Sequence, residues 1–202
     1  MKIIKQLLKQ NFTKGRGKYK PEIIIDHITD GTETATIDWF NSSISQVSSH
    51  YLITKDLKII QFVEEADQAW GAGLKVNPTA KIILERPNVN PNEFSIHIEH
   101  ESKTGKLSEE MYKLSAKLHK DICERWNIFL DLGYILPHNS IRRDKTCPKD
   151  LDILKIIQLA REEKKGCEDK DILIEALKKE NEDYKQANQG IIKWIASFFK
   201  SG

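Results

Sequence analysis

Cysteine is scarce in this chain: Cys123, Cys147 and Cys167 are the three among 202 residues. An odd, sparse set excludes a disulfide framework. Long apolar runs are missing too, so no segment reads as a bilayer-crossing helix. Neither sign of charge dominates, with 32 basic and 30 acidic residues and a formal net charge of +2, so global charge gives no reason to expect a nucleic-acid partner. No internal repeat and no low-complexity segment occurs. In the opening "MKIIKQLLKQNFTKGRGKYK", lysines interrupt the apolar residues and no small-residue cleavage site follows. It does not read as a signal peptide, and synthesis in the cytoplasm without one is expected. The same stretch carries seven Lys/Arg and no acid; it reads as a solvated basic edge, or as a region drawn to an anionic polymer. What is present, 39% hydrophobic and 31% charged residues, is ordinary for a globular protein.

Periodicity divides the chain at about residue 150. In 1–150, "EIIIDH" (22–27) reads as a buried strand, and "TATIDWFNSS" (34–43) as a short helix with Trp39 and Phe40 inward. "SSHYLITKDLKIIQFV" (48–63) reads as two strands joined at Lys55–Asp56. "FSIHIEHE" (94–101) alternates, with Ser95, His97 and Glu99 on one face and Ile96 and Ile98 on the other. A helix follows in 107–128, N-capped by Ser108, with Glu109 and Glu110 at its positive end and Met111, Leu114, Leu118 and Ile122 at helical spacing. "GYILPH" (133–138) returns to extended chain, because the residue before Pro137 disfavours helix. These elements predict an α/β domain with a mixed central sheet flanked by helices. Residues 151–202 read as a neutral helical extension, broken near Gly166, whose end places Ile191, Ile195 and Phe198 on one stripe. Packing on the first domain, pairing with a second copy of the chain, wall targeting, or a membrane-surface role for the last twelve residues would cover that stripe.

The chemistry concentrates in "LPHNSIRRDKTCPKD" (136–150). Imidazole nitrogen and thiolate are both good zinc ligands, and a loop can bring His138 and Cys147 to one ion. A catalytic zinc commonly has three protein ligands. His27, after a run of isoleucines, is the best third candidate, because α/β sheets present functional groups at strand ends. Each has a plainer reading: a lone histidine as a hydrogen-bonded structural residue, a cysteine before proline as a small buried side chain. Cys123 reads as buried and Cys167 as exposed. His50, His100 and His119 read as structural or surface residues.

Taken in order, "KPEIIIDHITDG", "QVSSHYLITKDLKIIQFVEEADQAWGAG", "NPNEFSIHIEHE" and "PHNSIRRDKTCP" resemble segments of the zinc-dependent N-acetylmuramoyl-L-alanine amidases, which include phage amidase-lysozymes and peptidoglycan recognition proteins. The resemblance spans roughly residues 10–150. It implies the peptidoglycan-recognition fold and zinc held by His27, His138 and Cys147. It also implies Lys145 as the cation that stabilises a developing oxyanion, and Glu99 as the proton carrier. Glu99 is otherwise a structural carboxylate, and Lys145 a solvated lysine. Trp70 could stack on sugar or peptide, and His97 could line the cleft beside Glu99. Two positions depart from the pattern: Ser49 stands where the phage branch has tyrosine, and Gly71 makes "WGAG" of the usual "WHAG". Asp26 is an unusual neighbour in an apolar strand.

The implied reaction cleaves the amide between N-acetylmuramic acid and L-alanine of the peptidoglycan stem peptide. A phage or prophage endolysin, a host autolysin or a recycling amidase would use it, the first two acting on the wall after release. A non-catalytic muropeptide-binding module and a purely structural zinc clamp are the alternatives.

Overall fold

The computed structural model describes residues 1–162. The helical reading of 163–202, its apolar stripe, Cys167 and the expected self-pairing lie outside the described residues. In chain order the elements are β1 (Ile3–Lys5), β2 (Phe12–Thr13), β3 (Ile23–Ile28), α1 (Glu33–Asn41), β4 (Tyr51–Ile53), β5 (Ile59–Gln61), β6 (Gln68–Ala69), α2 (Lys81–Leu84), β7 (Ser95–His100), α3 (Glu109–Trp126), β8 (Ile135–Pro137) and α4 (153–162).

Six strands form a mixed sheet in the order β1-β5-β4-β7-β3-β8, with β4–β5 antiparallel and the other neighbours parallel. The fold is the expected mixed sheet flanked by helices. Every residue of β3 is buried, as expected for a central strand covered on both faces. Alternation sorts its side chains: Ile24 joins the core under α3, while Ile23 and Ile25 join a second cluster on the opposite face. The β4–β5 hairpin turns at 54–58, where Leu57 takes a left-handed conformation (φ +60°).

The helix α3 follows its sequence signals. Ser108 caps it by accepting from the Met111 N–H, and Asn127 stops it in the left-handed region (φ +56°). Met111, Leu118 and Ile122 are buried against the sheet. The helix α1 departs from expectation. Phe40 turns inward, but Trp39 is 53% exposed, because adjacent helical positions point about 100° apart and only one can face the sheet.

Two elements carry little sequence signal. β1 is three residues long on the sheet edge, and β2 and β6 form a two-residue ladder. The opening stretch is not uniformly a solvated basic edge. Arg16 is 5% exposed, and its guanidinium donates to the carbonyls of Glu65, Asn92 and Glu93.

The first compact unit is Met1–Arg161. Leu151, Ile153, Ile156 and Ile157 are buried in the α3-side core. Burying four such side chains is worth about 6–12 kcal/mol, comparable with a domain's whole stability. A chain ending at Asp150 is therefore expected to lose cooperative thermal unfolding by circular dichroism, and one ending at residue 162 to keep it.

Candidate active site

The site lies where the parallel strands β3, β7 and β8 end. His27 is the fifth residue of β3, and its partner in register on β7 is Glu99. Alternation puts both on the face away from α3. β8 ends at Pro137, and His138 opens a short 3-10 turn, His138–Ser140. The chain then loops to Cys147. One ligand-capable atom from each of His27, His138 and Cys147 lies within 4.8 Å of the others. Among the described residues this is the one cluster of at least three such groups close enough to hold an ion.

The remaining polar atoms orient the donors. His138 Nε2 lies 3.2 Å from the Ala72 carbonyl, which places the proton there and leaves Nδ1 for the cluster. His27 Nδ1 lies 3.9 Å from Cys147 Sγ, and the Ile28 N–H donates to that sulfur at 3.4 Å. A nitrogen and a sulfur bound to one tetrahedral zinc sit about 3.5 Å apart, so the pair is close to ligand spacing. The loop is clipped in place. The Asn139 N–H donates to the Cys147 carbonyl at 2.9 Å, and Lys149 Nζ reaches Asp30 at 2.9 Å. Gly105 (φ +89°) lets the backbone pass where a Cβ would lie 2.5 Å from the Pro148 carbonyl oxygen.

A cavity of about 500 Å³ opens over the cluster. Its walls include Glu99, Lys145 and the exposed face of Trp39. Glu99 Oε2 is sealed from solvent and has no hydrogen-bond partner. Burial, with Asp26 nearby, pushes the Glu99 carboxyl up to about 8. Burial, then the neighbouring His138 and His100, holds His27 well below the usual imidazole range, and burial also lowers His138. Burial beside Glu99 pushes the Cys147 thiol up to about 12. Each of these shifts favours the neutral form of its group, and ligation of a divalent cation would have to displace the proton held by the thiol.

The sequence profile of the N-acetylmuramoyl-L-alanine amidases matches residues 17–150. This chain belongs to that amidase family. A curated relative, N-acetylmuramoyl-L-alanine amidase A from Achromobacter lyticus, is 37% identical over 106 residues, covering 50% of this chain. The match spans 51%, about half, of that relative's length. An endolysin variant from Bacillus subtilis shares the fold with a TM-score of 0.60 at 20% identity, over 79% of this chain and 99% of its own. The Escherichia coli amidase AmiD, solved in complex with anhydro-N-acetylmuramic acid-L-Ala-D-gamma-Glu-L-Lys, matches with a TM-score of 0.57 at 23% identity. That match covers 72% of this chain and 58% of AmiD.

In this amidase-family chain, the sequence-chosen residues separate into two groups. His27, His138, Cys147, Glu99 and Lys145 all border the one cavity. Trp70 borders a neighbouring cavity and donates from Nε1 to Thr13 Oγ1 at 2.9 Å. His97 does not line the cleft as expected; it is fully buried, because Gly71 leaves room for its ring beneath the surface. Ser49 is also fully buried and donates to the His97 carbonyl at 2.7 Å, so it takes no part in the cavity.

Asp26 has its explanation on the opposite face. His119 Nε2 approaches both Asp26 oxygens at 3.1 and 3.2 Å, while Nδ1 faces the Ser115 carbonyl at 2.8 Å. Both nitrogens meet acceptors, the arrangement of an imidazolium. Against the effect of burial, the Asp26 carboxylate raises the His119 pKa. His100 Nδ1, 3.0 Å from the His27 carbonyl, ties the same strand from below. The helical spacing of α3 had no room to signal this: His119 sits among its apolar positions, and its partner is 93 residues away.

Proposed function

We propose that this chain is a zinc-dependent N-acetylmuramoyl-L-alanine amidase, acting on the bond between the lactyl group of N-acetylmuramic acid and L-alanine in peptidoglycan. The observation that carries this is the convergence of two imidazoles and one sulfur beneath a cleft that Glu99 and Lys145 also line. A mixed nitrogen and sulfur donor set suits zinc, and three protein donors leave a position open. When bound, zinc would polarise the amide carbonyl and make water a competent nucleophile near neutral pH.

The chain's own residues supply the rest. Glu99, on the cavity wall, takes a proton from the attacking water and delivers it to the leaving amine; burial brings its carboxyl toward the working pH, where it can both accept and return a proton. Lys145, exposed on the cavity wall, brings an ammonium toward the oxygen that becomes negative. Trp39 presents an apolar plane on which a sugar ring can rest. The muropeptide bound to AmiD supports the substrate class. A binding module would have no use for a complete donor set, and a structural clamp would need a fourth donor, which the cluster lacks among the described residues.

Digestion of purified cell wall by the full chain tests this. New free amino termini on L-alanine are expected, without new reducing sugar ends. A chelator should stop the release and added zinc restore it. Release of reducing ends, or indifference to the chelator, would refute the assignment.

A further inference from the structure

The fully buried His97 is unexplained by the reaction as assigned. Its Nδ1 lies 3.0 Å from His27 Nε2, and its own Nε2 lies 2.8 Å from the buried Ser95 hydroxyl. Its backbone is pinned as well: the N–H donates to His50 Nδ1 at 2.9 Å, and the carbonyl accepts from Ser49 Oγ at 2.7 Å. A Cβ placed on Gly71 would lie 2.5 Å from His97 Nδ1 and 2.6 Å from its Cγ. Gly71 has no left-handed φ, so glycine is needed there for space and not for backbone freedom.

We propose that His97 is a positioning residue that fixes the tautomer and ring plane of His27, and that Gly71 is glycine because this ring occupies the place of its side chain. The inference rests on the metal-centre reading above. His27 turns Nδ1 toward Cys147 Sγ. A neutral imidazole that ligates through Nδ1 carries its proton on Nε2, and that proton needs an acceptor. His97 Nδ1 provides it. His97 must then hold its own proton on Nε2, which donates to Ser95 Oγ. One chain of donors, His27 to His97 to Ser95, thus sets both tautomers. Such outer partners commonly change metal affinity 10- to 100-fold when removed.

Zinc affinity of the full chain, measured against a competing chelator, tests the proposal. His97→Ala is expected to weaken binding 10- to 100-fold while the circular dichroism spectrum stays native. Gly71→Ala, which removes no hydrogen-bonding group and replaces no ligand, is expected to weaken it about tenfold with His97 present and less than twofold in the His97→Ala background. Should His97→Ala fail to fold, nitrogen-15 spectra of the zinc-loaded unsubstituted chain carry the test. They should show His27 protonated at Nε2 and His97 protonated at Nε2 with a bare Nδ1. Metal bound through His27 Nε2, or an affinity within twofold for folded His97→Ala, would overturn the proposal while leaving the metal centre standing. Absence of zinc binding by the unsubstituted chain would overturn both.

Discussion

Cys147→Ala and His138→Ala should each purify with less than a tenth of an equivalent of zinc and lose about a thousandfold or more in wall hydrolysis. Each substitution leaves two donors where a catalytic zinc needs three. The loss corresponds to the several kcal/mol of transition-state stabilisation that a Lewis acid supplies. Metal content by mass spectrometry, measured beside activity, separates this from a folding defect. Neither side chain is part of the hydrophobic core, so both variants should unfold cooperatively when free of metal. Cys123→Ala is the matched control. That thiol is buried in the core with Ile122 and Leu118, on the face opposite the cleft. Its removal should cost about 1 kcal/mol of stability and leave zinc content unchanged. A Cys147→Ala protein that keeps both metal and rate would remove the sulfur from the donor set.

Glu99→Gln should lower kcat by about 10²- to 10⁴-fold, the usual contribution of a positioned proton carrier, with zinc content retained. It should also change how the metal-free protein responds to pH. The folded carboxyl titrates at about 8 against an ordinary 4.5. Between those values the unfolded chain releases a proton that the fold keeps. The contribution of Glu99 is therefore fully present below about pH 4.5 and is lost as pH rises through 8. Glutamine has no such dependence. The stability gap between the variant and the unsubstituted chain should widen in the variant's favour from pH 4.5 to 8 and then level off. Conversion of the full shift gives about 5 kcal/mol at most; partial solvent access reduces that to about 2–3 kcal/mol. Urea titrations at pH 5 and pH 8 in chelator measure it. A gap that does not change with pH would mean that Glu99 is not destabilised by its surroundings, and its proposed role would lose its physical basis.

How much of this was legible in the sequence depends on range. Strand alternation alone puts Glu99 on the same face of β7 as Ser95 and His97, and Pro137 marks the extended chain that leads to His138. His138 and Cys147 share one loop and pair on local grounds, whereas His27, far away in the sequence, joins them firmly only through the order of four segments. The misreadings came from contacts that cross the fold. Trp39 and Phe40 were both apolar enough to be placed inward, yet one helix face is not wide enough for both. His97 shares the strand face of Glu99, but the depth of the pocket beneath Gly71 is a property of another segment. Arg16 read as a solvated cation because nothing nearby hints at the three carbonyls, from residues 65, 92 and 93, that converge on it. The edge strand β1 has no signal in the sequence, because three residues carry too little periodicity to announce a strand.

His27 and Cys147 are 120 positions apart in the chain. If these residues hold zinc as proposed, a nascent polypeptide lacks the complete donor set until nearly all of the first compact unit has emerged. Capture of the ion in the three-donor site would then follow closure of the fold. At a free zinc concentration a thousand times the dissociation constant, capture would add about 4 kcal/mol to the stability of the closed state. The melting temperature of this protein would accordingly act as a gauge of the zinc available around it.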